Sequence, residues 1–215
     1  MQRADAGGDD LVGHAPSSTA KSGPAGLNVP TAQEQRPIWH KPLSQTRPHP
    51  AFWLLGAHGG AAVSTLERAW APAADALGGW PAADSYPNVV ICARTHRAGL
   101  SAAHVLLRQA AAHQIGQARL LGLVTVVDHD GSLPATLRRQ LEIVEELAPQ
   151  AWRVPFIPDF RCLAITQMPQ WSPRDEPAPE QKRFARRADP TQTIHPELAE
   201  IGGLIFTAAR AAISH

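Results

Sequence analysis

Phe52-Trp53-Leu54-Leu55-Gly56-Ala57-His58-Gly59-Gly60-Ala61-Ala62-Val63-Ser64-Thr65-Leu66 joins a short apolar run to a glycine turn and then to residues at helical spacing. The run has the length and the glycine punctuation of a strand buried on both faces. After the turn, Leu66, Ala69, Trp70 and Ala73 recur on one helical face, and Ser64 or Thr65 suits the N-cap. A helix is therefore expected from Ser64 to about Leu77, stopped by Gly78-Gly79. Such a turn is a place where backbone N–H groups converge on an anion. It is equally a tight βα turn in which Gly59 and Gly60 supply positive φ and close packing. The residues alone leave both readings open.

Outward from this stretch the pattern repeats. Asn88 to Ala93 is a second buried-strand run, and Gly99 to about His113 places Leu100, Ala103, Leu107 and Ala110 on one helical face. A third strand is expected from Leu120 to Val127. Pro134 marks the next helix start, Leu137, Leu141, Val144 and Leu147 repeat along it, and Pro149 closes it. Trp152 to Ile157 reads as a fourth strand. Repeated β-α units predict a three-layer α/β domain with a short, mostly parallel sheet in sequential order. Right-handed crossovers in that order place every connecting helix on one face. The opposite face then needs a cover, and the broad apolar side of Pro196 to Ile213, with Leu198, Ile201, Leu204, Ile205, Ala208, Ala209 and Ala212, is suited to dock there.

The flanks differ in composition. Residues 1–50 are dominated by Gly, Pro, Ser, Thr, Gln and charge, too poor in apolar residues to offset the entropy of ordering. Disorder is expected there, with Pro37-Ile38-Trp39-His40-Lys41-Pro42-Leu43 as either an extended strap or a linker. The domain is expected over 51–160, an irregular Pro- and Arg-rich excursion over 161–194, and the docking helix over 195–215. The chain has 215 residues, room for one domain of ordinary size. A formal net charge of +1 gives no global reason for nucleic-acid binding. Local contact with nucleic acid or a protein partner falls to Lys182, Arg183, Arg186 and Arg187. Cys92 and Cys162 lack the spacing of a zinc site or a disulfide framework. Neither an export signal nor a membrane-spanning run is read, so a cytoplasmic location is expected.

The glycine turn resembles that of the deviant-Walker P-loop ATPases related to ParA and MinD, which reads Lys-Gly-Gly-x-Gly-Lys-Thr-Thr. Gly59, Gly60, Ser64 and Thr65 match, whereas His58 stands at the first lysine, Ala62 at the later glycine and Val63 at the second lysine. Val89 to Ala103 is similar to the family's strand and helix after Walker B. Gly122 to Thr125 resembles the strand leading to a base-reading Asn, where Val126 stands here, and Val154-Pro155 resembles the closing strand. The stretch from Gly79 to Asn88 is too short for the switch regions and the Walker B aspartate. The chain also resembles actinobacterial mobile-element and conjugation proteins with a His-Gly-Gly-Ala-x-Val-Ser-Thr turn, a likeness that carries no activity with it.

The resemblance implies a shortened, lysine-less P-loop NTPase-like domain over Phe52 to Ile157. Its phosphate- or nucleotide-binding residues are His58, Gly59, Gly60, Ala61, Ala62, Val63, Ser64 and Thr65, for ATP or another nucleotide with Mg2+. Without the lysine and the Walker B acid, charge developing in phosphoryl transfer has little to stabilise it, so hydrolysis is not expected. A binding or regulatory module, in conjugation or in plasmid or chromosome partition, is the leading expectation. A weak ATPase completed by a partner is the alternative. A third reading comes from the sheet rim, where Arg94, His96, Arg97 and Asp128 follow strands two and three and Asp159 follows strand four. With His58 these make a metal-dependent hydrolase conceivable, against the plain reading of polar βα loops.

Overall fold

Side chains along β1 (Phe52–Gly56) alternate between two cores: Phe52 and Leu54 enter one, Trp53 and Leu55 the other. A strand buried on both faces needs cover on both, and the chain supplies it. The computed structural model describes residues 28–43, 50–175 and 189–213. Its sheet has five strands, all paired in parallel, in the order β2-β1-β3-β4-β5. β2 is Ala73–Asp75, β3 Asn88–Arg94, β4 Arg119–Val126 and β5 Ala151–Val154. Helices α2 (Arg97–Ala111) and α3 (Ala135–Glu146) cover the face of Trp53 and Leu55. Helices α1 (Val63–Ala69) and α4 (Pro196–Ile213) cover the face of Phe52 and Leu54. The expected three-layer α/β architecture with a docked C-terminal helix is the one observed.

The four expected strands are β1, β3, β4 and β5, side by side in sequential order. The helix expected from Ser64 to Leu77 is a correction, because it stops at Ala69. Pro72 has no N–H to donate, and Ala71 before it is pushed out of the helical region. The backbone at this point pairs instead with Trp171, which donates to the Ala69 carbonyl at 2.7 Å and accepts from the Ala71 N–H at 2.9 Å. The freed residues Ala73–Asp75 become an edge strand in register with Phe52–Leu54. β1 thereby gains neighbours on both sides. The expectation of all connecting helices on one face is corrected with it: α1 connects toward the opposite edge, so its right-handed crossover lands on the opposite face.

α4 is fastened as well as buried. The Trp70 indole donates to the Leu198 carbonyl at 2.8 Å, and the Asn88 amide donates to the Ala209 carbonyl at 3.1 Å. Gly202 makes the approach possible, since a Cβ there would stand 2.7 Å from the Trp70 ring. Between β4 and β3 the register shifts at Val89/Val90, which lets Leu121 and Leu123 serve opposite cores. Cys92 is wholly buried in β3, its thiol pushed well up by desolvation, while Cys162 is exposed.

The strap reading of Pro37 to Leu43 fits, and Asn28 to Arg36, where disorder is expected, also lie against the domain: Arg108 donates to the Asn28 carbonyl and Gln109 to the Arg36 carbonyl. Ile38 bridges to Trp80 in parallel, with the Trp39 N–H on the Trp80 carbonyl at 2.9 Å. Residues 1–27 and 44–49 lie outside the described residues. Over 158–175 the backbone makes short 3-10 turns at Pro158–Arg161 and Ile165–Gln167 and buries Met168. Lys182, Arg183, Arg186 and Arg187 fall outside the described residues. No helix among the described residues is long and apolar enough to cross a membrane.

The two sides of α4 separate in a stability measurement. Ile205→Ala, fully buried, is expected to lower the unfolding free energy by about 2–5 kcal/mol. Leu204→Ala, 51% exposed, stays within about 0.5 kcal/mol of the parent. Urea denaturation checks both, and equal losses would contradict the docking face.

Candidate functional site

Because β1 has β2 on one side and β3 on the other, the connections leaving its carboxyl end and that of β3 depart in opposite directions. A crevice opens at such a reversal, and ligands collect there in open parallel sheets. Here it is a cavity of about 530 Å³. One wall is the glycine turn from His58 to Thr65; the other is the exit from β2 at Asp75, Leu77 and Gly78; Arg36 and Arg94 complete the lining.

The turn owes its shape to two left-handed residues, Gly60 at φ 81 and Ala62 at φ 68. Ala62 is the N-cap of α1, and no side chain caps the helix. This corrects the expectation that Ser64 or Thr65 would do so: the helix starts one residue earlier, at Val63. Ser64 and Thr65 thus sit in the first helical turn, whose N–H groups have no intrahelical acceptor. Ser64 is exposed at the cavity. Gly59 leaves open space, with nothing within 4 Å of where its Cβ would be.

His58 sits at the base of the turn. Its Nε2 accepts the Arg94 N–H at 3.1 Å, and its Nδ1 lies 2.8 Å from the Gly59 carbonyl. An accepting Nε2 fixes the neutral tautomer with the proton on Nδ1, which then donates to Gly59. His58 therefore clasps the turn to the end of β3 and has no ring nitrogen left for a phosphate. His96 also has a structural task, since its Nδ1 accepts the Gly99 N–H at 3.0 Å and caps α2. The two imidazoles lie 4.9 Å apart, centroid to centroid. Gly99 is needed for this closeness: a Cβ there would stand 2.5 Å from the Arg94 carbonyl and 2.8 Å from His58 Nε2.

Positive charge comes from two arginines that hold the turn at separate carbonyls. Arg94 Nε donates to Gly60 at 3.3 Å, and Arg36 Nη2 donates to Ala57 at 3.0 Å. Each guanidinium has further N–H donors to spare. The cavity's one lining carboxylate, Asp75, accepts the Leu77 N–H at 2.7 Å. The sequence pointed to Arg94 but missed Arg36, Asp75 and Leu77. Arg36 belongs to a segment without periodicity, and the signal for Asp75 was Pro72.

The remaining rim residues do not join this cavity. Asp128 accepts the Thr95 hydroxyl at 3.1 Å and lines a neighbouring cavity of about 280 Å³ that shares Ala62, Thr65 and Arg94 with the first. Arg97 is exposed at the start of α2 and lines neither. Asp159 lines a separate cavity beside the start of α4. Among the described residues no three of His, Cys, Asp and Glu gather as metal ligands. His58 and His96 each spend a ring nitrogen on a backbone N–H, the one clasping the turn and the other capping α2.

A family model described as "Family of unknown function (DUF6668)" matches residues 50–174, more than half of the 215. The chain belongs to that family. No curated protein and no solved structure matches it. The matched span holds the whole sheet and the glycine turn, while the strap with Arg36 and the covering helix α4 lie outside it.

Gly99→Ala tests the clasp by its sign. In an ordinary helix the change adds about 1 kcal/mol of stability. Here it is expected to cost about 1–3 kcal/mol by overpacking and to speed hydrogen exchange at the Arg94 amide. A stabilised variant with unchanged exchange would contradict the close packing of His58, Arg94 and α2.

Proposed function

We propose that this member of the family is a phosphate- or nucleotide-binding module built on a degenerate P-loop, acting as a regulatory component rather than as a hydrolase. One observation carries the reading: an open cavity at the strand-order reversal, walled by an uncapped glycine turn and bracketed by the guanidiniums of Arg36 and Arg94. Donor N–H groups and two cations against one carboxylate favour an anion. Arg94 supplies the positive charge that the missing lysines would have brought. Ser64, exposed at the cavity, would offer its hydroxyl to a phosphate oxygen or its Mg2+.

Binding is supported far better than turnover. The arginines spend donors on the turn's own carbonyls, and Asp75 is engaged by the Leu77 amide. With those donors and that carboxylate engaged, and no lysine at the turn, charge built up in phosphoryl transfer would go largely unmet. We place such a module in the cytoplasm, working with a protein or nucleic-acid partner in DNA mobility or segregation.

Calorimetric titration with ATP, ADP, GTP and GDP, with and without Mg2+, tests the reading. Saturable binding is expected, with phosphate release no faster than in buffer. Gly59→Asp places a carboxylate in open space at the turn without a clash and is expected to weaken binding at least about tenfold. Absence of saturable binding by the parent protein, or equal binding by the variant, would contradict it.

A further inference from the structure

We infer that the N-terminal strap is a working part of the ligand site: Arg36 is an anion-binding residue delivered by the strap, so ligand binding and strap docking stabilise each other. The inference rests on the reading of the glycine-turn cavity as a phosphate site and adds to it a residue and a means of control.

The strap touches both walls of the cavity. On the glycine-turn side, Arg36 Nη2 holds the Ala57 carbonyl at 3.0 Å and the residue lines the cavity. On the opposite side, the strap grips the turn after β2. The Trp80 N–H donates to the Pro37 carbonyl at 2.8 Å, and the Trp39 indole donates to the Ala76 carbonyl at 2.9 Å. Trp39 lies so close over Gly79 that a Cβ there would stand 2.7 Å from the indole. This turn carries Leu77 at φ 51 and Gly78 at φ 76 into the cavity wall. A left-handed conformation is costly for a bulky side chain and persists only where surrounding contacts enforce it. Leu77 is nonetheless 58% exposed, so hydrogen bonds hold it: Asp75 accepts its N–H from within the turn, and the strap pins the flanking Ala76 and Trp80.

Docking of the strap is specific. Gln109 of α2 is 1% exposed, and its side chain reads the Arg36 backbone in both directions: Oε1 accepts the Arg36 N–H at 3.0 Å and Nε2 donates to the Arg36 carbonyl at 2.9 Å. The second Nε2 proton goes to the Gln114 carbonyl at 2.9 Å. A buried amide leaves unmet hydrogen bonds when its partner departs, so Gln109 penalises the undocked state. These bonds fix the backbone at Arg36 and thereby aim its guanidinium. A ligand that pairs with Arg36 binds the docked state more tightly than the undocked one, and by linkage it holds the strap down to the same degree. Pulling the strap away, by any partner that binds it, removes one of the two cations and releases a cavity wall at once.

Sodium pyrophosphate is the probe, with the full chain and calorimetry as one readout and hydrogen exchange at the Trp39 and Trp80 amides as the other. Neither amide lies on a cavity-lining residue. Pyrophosphate is expected to slow their exchange in the parent protein. Arg36→Ala and Gln109→Leu are each expected to weaken binding about tenfold, and Gln109→Leu, which substitutes no cavity-lining residue, also raises exchange at both amides. The inference is overturned if Gly59→Asp abolishes binding while both strap variants bind like the parent and pyrophosphate leaves exchange unchanged; the phosphate site then stands without the strap. If the parent binds no pyrophosphate, the cavity reading and the inference fall together.

Discussion

The placement of β1 between two parallel neighbours is the constraint on which the other features depend. Phe52, Leu54 and Leu55 are fully buried, and a large apolar side chain taken from water to the interior contributes about 1.5–3 kcal/mol. That gain requires a layer on each face and a strand on each side. The faces are met by α1 with α4 and by α2 with α3, and the sides by β2 and β3. Pro72 makes the second side available by ending α1 in time for Ala73–Asp75 to pair. From this arrangement the crevice follows geometrically, because the order of the strands reverses where the glycine turn leaves the sheet.

Around that crevice the side chains do mutual work. His58 in its neutral form joins the turn to β3, His96 caps α2, and Gly99 admits both rings to the same small space. Arg94 and Arg36 reach the turn's carbonyls from different elements, one from the sheet and one from the strap. The result is a turn tied at Ala57, His58 and Gly60 to three other parts of the fold.

Much of this was legible in the sequence because burial on both faces leaves an unmistakable mark. The runs at Phe52, Asn88, Leu120 and Trp152 are strands within a few residues of the expected limits. The helix at Pro196 docks through Leu198, Ile201, Ile205 and Ala209 of the expected face, whereas Leu204, expected on it, is turned to solvent one residue short of Ile205. What escaped was held by tertiary contact. Ala73-Ala74-Asp75 has no strand propensity of its own and pairs because β1 offers it an edge. Arg36 lies in a stretch whose order comes from Gln109, Trp80 and Ala76, all distant in sequence. The capping role given to Ser64 or Thr65 failed for a local reason, since the left-handed Ala62 starts the helix earlier. His58 was legible as a site residue, but its role was not, because the partner of its Nε2 is the amide at the far end of another strand.

On the proposed reading the glycine turn binds a phosphate-bearing anion through its backbone. Nitrogen-15 amide NMR of the full chain, titrated with ATP and Mg2+, reads that backbone directly. The account predicts that the amides of Gly59, Gly60, Val63 and Ser64 shift together and saturably, with one common dissociation constant. Shifts confined to other parts of the protein, or no saturable shift at the turn, would contradict it.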